Sequence, residues 1–167
     1  MRLSDHDTWA REHHGLLTLA ASGLSNDAWQ RAIRAGSLIE VHRHVARLPG
    51  APITTRQRIA AAVLAAGDGA MASHSSAAVL WDLHDAAATH GPFVHVTVRD
   101  ARRHPRVNGV VLHRPTDRVR LRPQRRDGIA CTNALRTLCD LGADDPALVT
   151  PAVGRALRAG LVDLDAL

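Results

Sequence analysis

The sequence predicts an α+β protein in which a small helical unit with a β ribbon comes first and a mixed α/β domain follows. Aromatic residues make up 2% of the chain and hydrophobic residues 46%, so the core has to be built from Ala, Leu, Val and Ile. These smaller side chains favour close helix packing and argue against an all-β protein. Proline and glycine in PGAPIT, residues 49–54, predict a linker between residues 1–50 and 51–167.

The first unit contains three helical segments in close succession. Residues 5–14 carry helix formers, and Gly15 is placed to end them. Thr18 is placed to cap a brief second helix that ends at a glycine turn. The segment SNDAWQRAIRAG, residues 25–36, in which Ser25 or Asn26 can cap, then shows the i, i+3, i+4 apolar stripe of a third helix. Helix, brief helix, glycine turn and helix is the order of a helix-turn-helix.

A strand pair is predicted directly behind the third helix. The segment SLIEVHRHVARL, residues 37–48, is rich in β-branched and aliphatic residues. Its apolar and polar side chains fall on opposite parities, with Ile39, Val41 and Val45 on one and Glu40, His42 and His44 on the other. A two-stranded ribbon in this position is a wing, so the first unit is predicted to be a winged helix-turn-helix.

The second unit is predicted to hold four helices around a short sheet. The helices are expected at RQRIAAAVLAAG, capped by Thr54 or Thr55, at SHSSAAVLWDLH, capped by Ser73 or Ser75, at NALRTLCDLG, capped by Thr132, and at residues 151–159. The strands are expected at FVHVTV, residues 93–98, and at VNGVVLHR, residues 107–114.

The polar face of the third helix carries the side chains that read DNA in other proteins. Arg and Asn or Gln make paired hydrogen bonds to guanine and adenine edges in the major groove. Arginines of a wing reach phosphates or the minor groove. The candidate DNA-binding residues are Asn26, Gln30, Arg31, Arg34, Arg43, His44 and Arg47. The alternative, a solvated helix face with no ligand, remains open.

Positive charge is concentrated in one block. All 21 basic residues are arginines, and residues 99–127 hold ten of them with three aspartates, a net charge of +7 against +5 for the whole chain. This block is a second candidate polyanion surface, because neutralised phosphates release counterions. Ordinary charged loops are the alternative, since no aromatic side chain interleaves the block as a single-strand platform requires. The candidates are Arg102, Arg103, Arg106, Arg118, Arg120 and Arg122.

Local motifs for metal binding and catalysis are missing from the sequence. The 11 histidines show no His-x-x-x-His or His-Glu-x-x-His spacing, so no metal site and no cofactor are predicted. There is no Gly-x-Ser-x-Gly elbow and no phosphate-gripping Gly-x-x-x-x-Gly-Lys loop. With two Glu and no Lys, the chain also lacks the usual inventory of a metal-dependent nuclease. We predict no enzyme and no catalytic residues.

Two further features bear on location and redox state. The N-terminus has no apolar leader, and the longest apolar run, residues 59–66, is too short to cross a bilayer, so we expect a cytoplasmic chain without a membrane partner. Cys131 and Cys139 match neither a disulfide framework nor a zinc motif, and both are predicted to be buried thiols.

Six segments, taken in order, carry a family resemblance: HHGLLT, GLSNDAWQRAIRAGSLIEVHRHVARLPGAP, RQRIAAAVLAAGDGAMASHSSAAVLWDL, VHVTVRDARR, GVVLHR and RRDGIACTNALRTLCDL. Together they resemble the AbiEi-like antitoxin family of actinobacteria over nearly the whole chain. The resemblance implies a winged helix-turn-helix that binds the promoter of its own operon, with residues 26–35 as recognition helix and 38–48 as wing. It also implies an antitoxin domain whose partner is a nucleotidyltransferase toxin encoded nearby.

The chain departs from that family in two places. Many relatives read Arg-Gly-Val-Tyr at the wing tip, where this chain has Arg43, His44, Val45 and Ala46. Histidine adopts the positive φ of a two-residue turn less readily than glycine, so we expect a reshaped tip. Many relatives also continue into a domain like the very-short-patch-repair endonucleases, whereas this sequence ends at Leu167.

The leading hypothesis is therefore a DNA-binding antitoxin-type repressor that binds double-stranded DNA and has no catalytic activity. The alternatives are a protein-interaction module that does not bind DNA and the non-catalytic front part of such an endonuclease. The operator, the toxin and the oligomeric state are left open by the sequence.

Overall fold

A computed structural model of the chain describes residues 3–84, 93–99, 106–117, 121–163 and 165. Within these ranges there are seven α-helices, one short 3-10 helix and two sheets with eight strands in all. The predicted α+β class is confirmed at this level. Among the described helices, none combines the length and the apolar character needed to cross a bilayer.

The elements follow one another in an order that places three helices before the first hairpin. The helices are α1 (Leu3–Glu12), α2 (Leu19–Ser22), α3 (Asn26–Arg34), α4 (Thr55–Ala66), α5 (His74–Leu80), α6 (Ala134–Asp144) and α7 (Val149–Arg158), with the 3-10 helix at Pro146–Leu148. The strands are β1 (Leu16–Thr18), β2 (Ile39–His42), β3 (Val45–Arg47), β4 (Ala70–Ala72), β5 (Val94–Val98), β6 (Val110–His113), β7 (Pro123–Arg126) and β8 (Ile129–Thr132). The first sheet has the order β1-β3-β2 and the second has the order β6-β5-β4-β8-β7.

Local capping chemistry sets the helices of the first unit where the sequence predicts them. Thr18 Oγ1 accepts a hydrogen bond from the backbone N of Ala21 at 3.1 Å and starts α2. Ser25 Oγ accepts one from the backbone N of Ala28 at 3.2 Å and starts α3. Each cap satisfies one of the backbone donors that the first turn of a helix leaves free.

The predicted ribbon is present as β2 and β3, but the alternation of the sequence does not decide which residues are buried. Ile39 and Val41 are 39% and 37% exposed, whereas Val45 is 2% exposed. β2 lies at the edge of its sheet, and its pairing with β3 shifts between Glu40 and His42. Val41 is the extra residue at this irregularity and leaves the strict alternation. Ile39 pairs regularly before it and is exposed at the sheet edge.

Helix α4 lies between the two sheets and joins them into one core. It packs against all three strands of the first sheet and against β4, β5 and β8 of the second. Leu16 and Val45 of the first sheet belong to the same hydrophobic cluster as the strands of the second sheet. Their neighbours Leu17 and Ala46 point to the other side of the first sheet, toward Trp29. This division follows from the two-residue period of a strand.

Two features of the second sheet are not predicted from the sequence. β4, the central strand, consists of three small or flexible apolar residues and carries no alternation. The β7–β8 hairpin turns at Asp127 and Gly128, with φ of 49° and 77°. Asp-Gly is a strong signal for such a turn, but β7 is a polar edge strand, and its composition resembles a loop.

One predicted helix cap is wrong, and another lacks the expected side-chain hydrogen bond. Thr132 is the last residue of β8, and its carbonyl accepts a hydrogen bond from Trp81 Nε1 at 2.8 Å. Asn133 caps α6 instead, accepting from the backbone N of Arg136 at 2.9 Å. Ser73 occupies the N-cap position of α5 as predicted, but its side chain makes no capping hydrogen bond; its Oγ lies 2.9 Å from Nδ1 of His74 instead.

The two cysteines lie in different environments. Cys131 is buried in β8, and burial raises the pKa of its thiol to about 11. Cys139 is exposed, so the prediction that it is buried is wrong. Leu138 and Leu141 turn the apolar face of α6 to the core, and Cys139 points away from that face because successive helical residues are about 100° apart.

Gly15 fits a position that a larger residue would disturb, and Gly15→Ala tests this. The residue has φ of 75°, and an added Cβ would overlap the Cβ of Ala51. We expect a loss of about 2–4 kcal/mol in the free energy of unfolding, from the left-handed backbone and the overlap together. Urea denaturation followed by circular dichroism measures it.

Gly36→Ala is the matched control, because Gly36 has φ of 72° and open space around it. This variant should lose only the part of the free energy of unfolding that is due to the left-handed backbone, about 1 kcal/mol. Adding Ala51→Gly to Gly15→Ala should recover part of the larger loss. Equal losses for Gly15→Ala and Gly36→Ala would contradict the proposed close approach.

Thiol labelling at pH 8 tests the difference between the cysteines. Native protein should react quickly at Cys139 alone, since burial and the raised pKa keep Cys131 unreactive. Both thiols should react in denaturant, and Cys139→Ser should remove the fast reaction. Two equally fast thiols in the native protein would contradict the structure.

Candidate functional site

The outer face of α3 is polar and open to solvent. Asn26, Gln30, Arg31 and Arg34 are all exposed. Trp29, on the opposite face, is completely buried and fixes the helix to the first sheet. The structure therefore leaves the predicted base-reading side chains free to meet a ligand, because the packing of α3 uses none of them.

Within this face, Arg34 is partly engaged with its own helix. Its Nε donates a hydrogen bond to the backbone O of Gln30 at 3.3 Å. That contact uses one of the five N–H donors of a guanidinium, so the side chain keeps most of its hydrogen-bonding capacity.

At the tip of the hairpin between β2 and β3, His44 adopts φ of 63°. Its backbone N donates to Glu40 Oε1 at 3.4 Å, and its carbonyl accepts from the backbone N of Leu19 at 3.0 Å. The histidine accordingly takes the left-handed conformation that glycine would adopt more easily, and the tip is anchored to the start of α2.

The two arginines of the hairpin differ in how accessible they are to a ligand. Arg43 is exposed, whereas Arg47 is half-buried and donates from Nη1 to the backbone O of Ala51 at 2.9 Å. Burial lowers the pKa of His42, which keeps that ring neutral at pH 7. Arg43 is thus the better placed of the two arginines for a phosphate, and Arg47 in part holds the linker.

A groove joins the hairpin to the second sheet. Its walls include Arg43 and His44 from the hairpin, Arg99 and Arg106 from the two ends of the β5–β6 connection, and Arg125 from β7. Among the described residues, Glu12 and Asp68 are the acidic members of the lining. Four arginines against two carboxylates give the described part of this groove a positive character, which suits a polyanion.

The arginine block is described only in part. Arg106 and Arg122 are exposed, and Arg106 lines the groove. Four other candidates, Arg102, Arg103, Arg118 and Arg120, lie outside the described residues. Of the predicted sites, the structure thus brings together the hairpin tip and one member of the block.

A second cluster is formed by three histidines and an aspartate from four different elements. His74 begins α5, His95 lies in β5, His113 ends β6 and Asp144 ends α6. Nε2 of His113 lies 3.1 Å from Nδ1 of His95, which in turn lies 3.1 Å from Oδ2 of Asp144. The ring of His74 stacks on that of His113, with centroids 3.7 Å apart.

Burial sets the protonation of this cluster. The pKa of His74 is lowered to about 4, mainly by burial; Asp144 acts to raise this pKa and His95 acts to lower it. Burial also lowers the pKa of His113 to about 4, with His74 and His95 acting in the same direction. Both rings are therefore neutral at pH 7 and carry a free lone pair on one nitrogen.

Asp140 lies one helical turn before Asp144 and is 7% exposed. Arg136 Nε donates to its Oδ1 at 2.6 Å. Burial raises the pKa of this carboxyl, while Arg136 acts against that rise. Its Oδ2 is buried without a hydrogen-bond partner among the described residues. The carboxylate thus supplies an unused acceptor close to the histidines.

The histidine cluster is missed by the sequence analysis. The prediction of no metal site was based on ligand motifs a few residues long, whereas the shortest separation here, from His95 to His113, is 18 residues. His95 and His113 lie in predicted strands, and His74 lies at the start of a predicted helix. The three rings come together only because β5 pairs with β6 and α5 packs on α6. No local signal in the sequence contains that information.

Comparison with known proteins adds no identification, since no protein-family model and no curated protein matches the chain.

Proposed function

We propose that this protein is a DNA-binding repressor whose first unit acts as a winged helix-turn-helix. The element order α1-β1-α2-α3-β2-β3 with a β1-β3-β2 sheet agrees with that proposal. The observation that carries it is the division of α3: a fully buried Trp29 on one face, and Asn26, Gln30, Arg31 and Arg34 exposed on the other.

The dimensions of α3 suit a major groove. Nine residues give a helix of roughly 14 Å, and the major groove of B-DNA is about 12 Å wide. In this arrangement Arg31 and Arg34 bind guanine edges, and Gln30 binds an adenine edge. Each such paired contact contributes about 1–3 kcal/mol of discrimination between bases.

The basic groove supplies the contacts that do not depend on sequence. Arg43 at the hairpin tip, with Arg99 and Arg106 across the groove, binds phosphates beside the base-reading helix. Contacts of this kind fix the orientation of a protein on the duplex and make its affinity depend on salt.

The regulatory part of the proposal follows the family resemblance. The protein acts in the cytoplasm on the promoter of its own operon, and its second unit counteracts a nucleotidyltransferase toxin encoded nearby. The second sheet and its helices are the surface offered to that toxin. The protein itself carries out no reaction in this proposal.

Fluorescence anisotropy with the DNA upstream of the gene tests the DNA-binding part. Arg31→Ala and Arg34→Ala should each weaken specific binding about 5- to 100-fold, because each removes a paired base contact. Arg43→Ala should weaken binding to specific and scrambled DNA alike and should reduce the slope of log K against log salt by about one.

Arg155→Ala is the matched control, because Arg155 is an exposed arginine on α7, in the second unit. It should leave the affinity unchanged. If the wild-type protein does not bind this DNA even at about 50 mM salt, the DNA-binding proposal is wrong and a protein-interaction module is favoured.

Co-expression tests the antitoxin part. A nucleotidyltransferase gene adjacent to this one should arrest growth when expressed alone, and this protein should restore growth. Arg31→Ala should still restore it, since the toxin contact is assigned to the second unit. Growth arrest that this protein does not relieve would remove the antitoxin role and leave the repressor role standing.

A further inference from the structure

We infer that His74, His95, His113 and Asp144 form a binding site for a divalent transition metal, with Zn²⁺ as the best-fitting ion. None of these four residues belongs to the proposed DNA-binding surface; they lie on α5, β5, β6 and α6 of the second unit. Each residue offers one ligand atom, and these four atoms all lie within 4.8 Å of one another.

The spacing of the ligand atoms is close to that of a tetrahedral zinc site. Zinc bonds of 2.0–2.1 Å to nitrogen and oxygen correspond to ligand–ligand distances of about 3.3 Å in a regular tetrahedron. The distances from His95 Nδ1 to His113 Nε2 and to Asp144 Oδ2 are both 3.1 Å. To complete the tetrahedron, the other ligand atoms, which lie within 4.8 Å of one another, have to move closer together, and the stacked rings of His74 and His113 have to turn apart.

The hydrogen-bonding arrangement also favours a cation. Nδ1 of His95 faces both a histidine nitrogen and a carboxylate oxygen, yet it carries at most one proton. A bound cation would satisfy all of these lone pairs together.

A second layer of polar contacts supports the ligands. Ser73 Oγ lies 2.9 Å from Nδ1 of His74, which leaves Nε2 of that ring as the nitrogen for a metal. Hydrogen bonds of this type fix the tautomer and orientation of ligating histidines. Asp140, one helical turn before Asp144 on α6, places a buried Oδ2 without a described partner beside this layer.

The ligand set indicates the class of metal and its role. Three imidazoles and one carboxylate suit Zn²⁺, and Co²⁺ or Ni²⁺ would bind the same donors. Four protein ligands close a tetrahedral site and leave no position for a reacting water, so the metal is structural. It would fasten the edge strand β6 and its neighbour β5 to the start of α5 and the end of α6.

Calorimetric titration of tag-free, chelator-treated protein with Zn²⁺ tests the site. One equivalent should bind with a Kd of about 1 µM or tighter. Zinc at about 100 times the Kd should raise the Tm by about 5–10 °C. Co²⁺ in place of zinc should give the intense visible absorption of a tetrahedral complex.

Asp144→Asn and His113→Gln should each weaken zinc binding at least about 100-fold, because each removes a ligand. Asp144 has a 37% exposed side chain at a helix end, so its substitution leaves the core intact. Asp145→Asn and His84→Gln are the matched controls and should bind zinc normally. Circular dichroism of the zinc-free proteins confirms that each variant is folded.

Two results would overturn the inference. One is the absence of a saturable binding event in the wild-type protein, with no change of Tm on adding zinc. The other is zinc binding that Asp144→Asn and His113→Gln leave unchanged, since the ion would then be held by other histidines.

Discussion

The burial of α4 between the two sheets is the constraint on which the rest of the molecule depends. The helix is buried nearly all round, and most of its buried residues are alanines. Because alanine is small, both sheets approach the helix axis closely, and the packing substitutes for the large aromatic side chains that the chain lacks. The same closeness requires glycine at position 15, where the first unit meets the linker.

Polar contacts fix the position of α4 relative to its neighbours and contribute little to the free energy of unfolding. Gln57 is buried, and its Nε2 donates to the carbonyl of His14 at 2.7 Å, which satisfies a polar group inside the core. Arg56 bridges Asp82 at 2.8 Å and Asp127 at 2.7 Å. Those carboxylates are 68% and 54% exposed, and ion pairs in water contribute only about 0–1 kcal/mol. Their main effect is to set the position of the β7–β8 turn beside the first unit.

The sequence predicts the parts of the structure that are set by neighbours along the chain. The caps at Thr18 and Ser25, the hairpin of residues 39–47 and the exposed face of α3 all follow from patterns less than a dozen residues long. The central strand β4 is not predicted, because three buried residues are too short to show a period. The histidine cluster is out of reach for another reason: its members become neighbours only after β5 pairs with β6 and α6 packs on α5.

The shared core also fixes the orientation of the first unit relative to the second, which the linker sequence alone would leave free. Leu16 and Val45 of the first unit pack in the same cluster as the second sheet, so a rotation of the units about residues 49–54 would break up this shared core. If α3 occupies a major groove as proposed, the second sheet is held at one angle around the DNA axis. A partner bound there would sit at a set helical phase relative to the operator, so displacing a binding site by half a turn, about 5 base pairs, would carry that partner to the opposite side of the duplex.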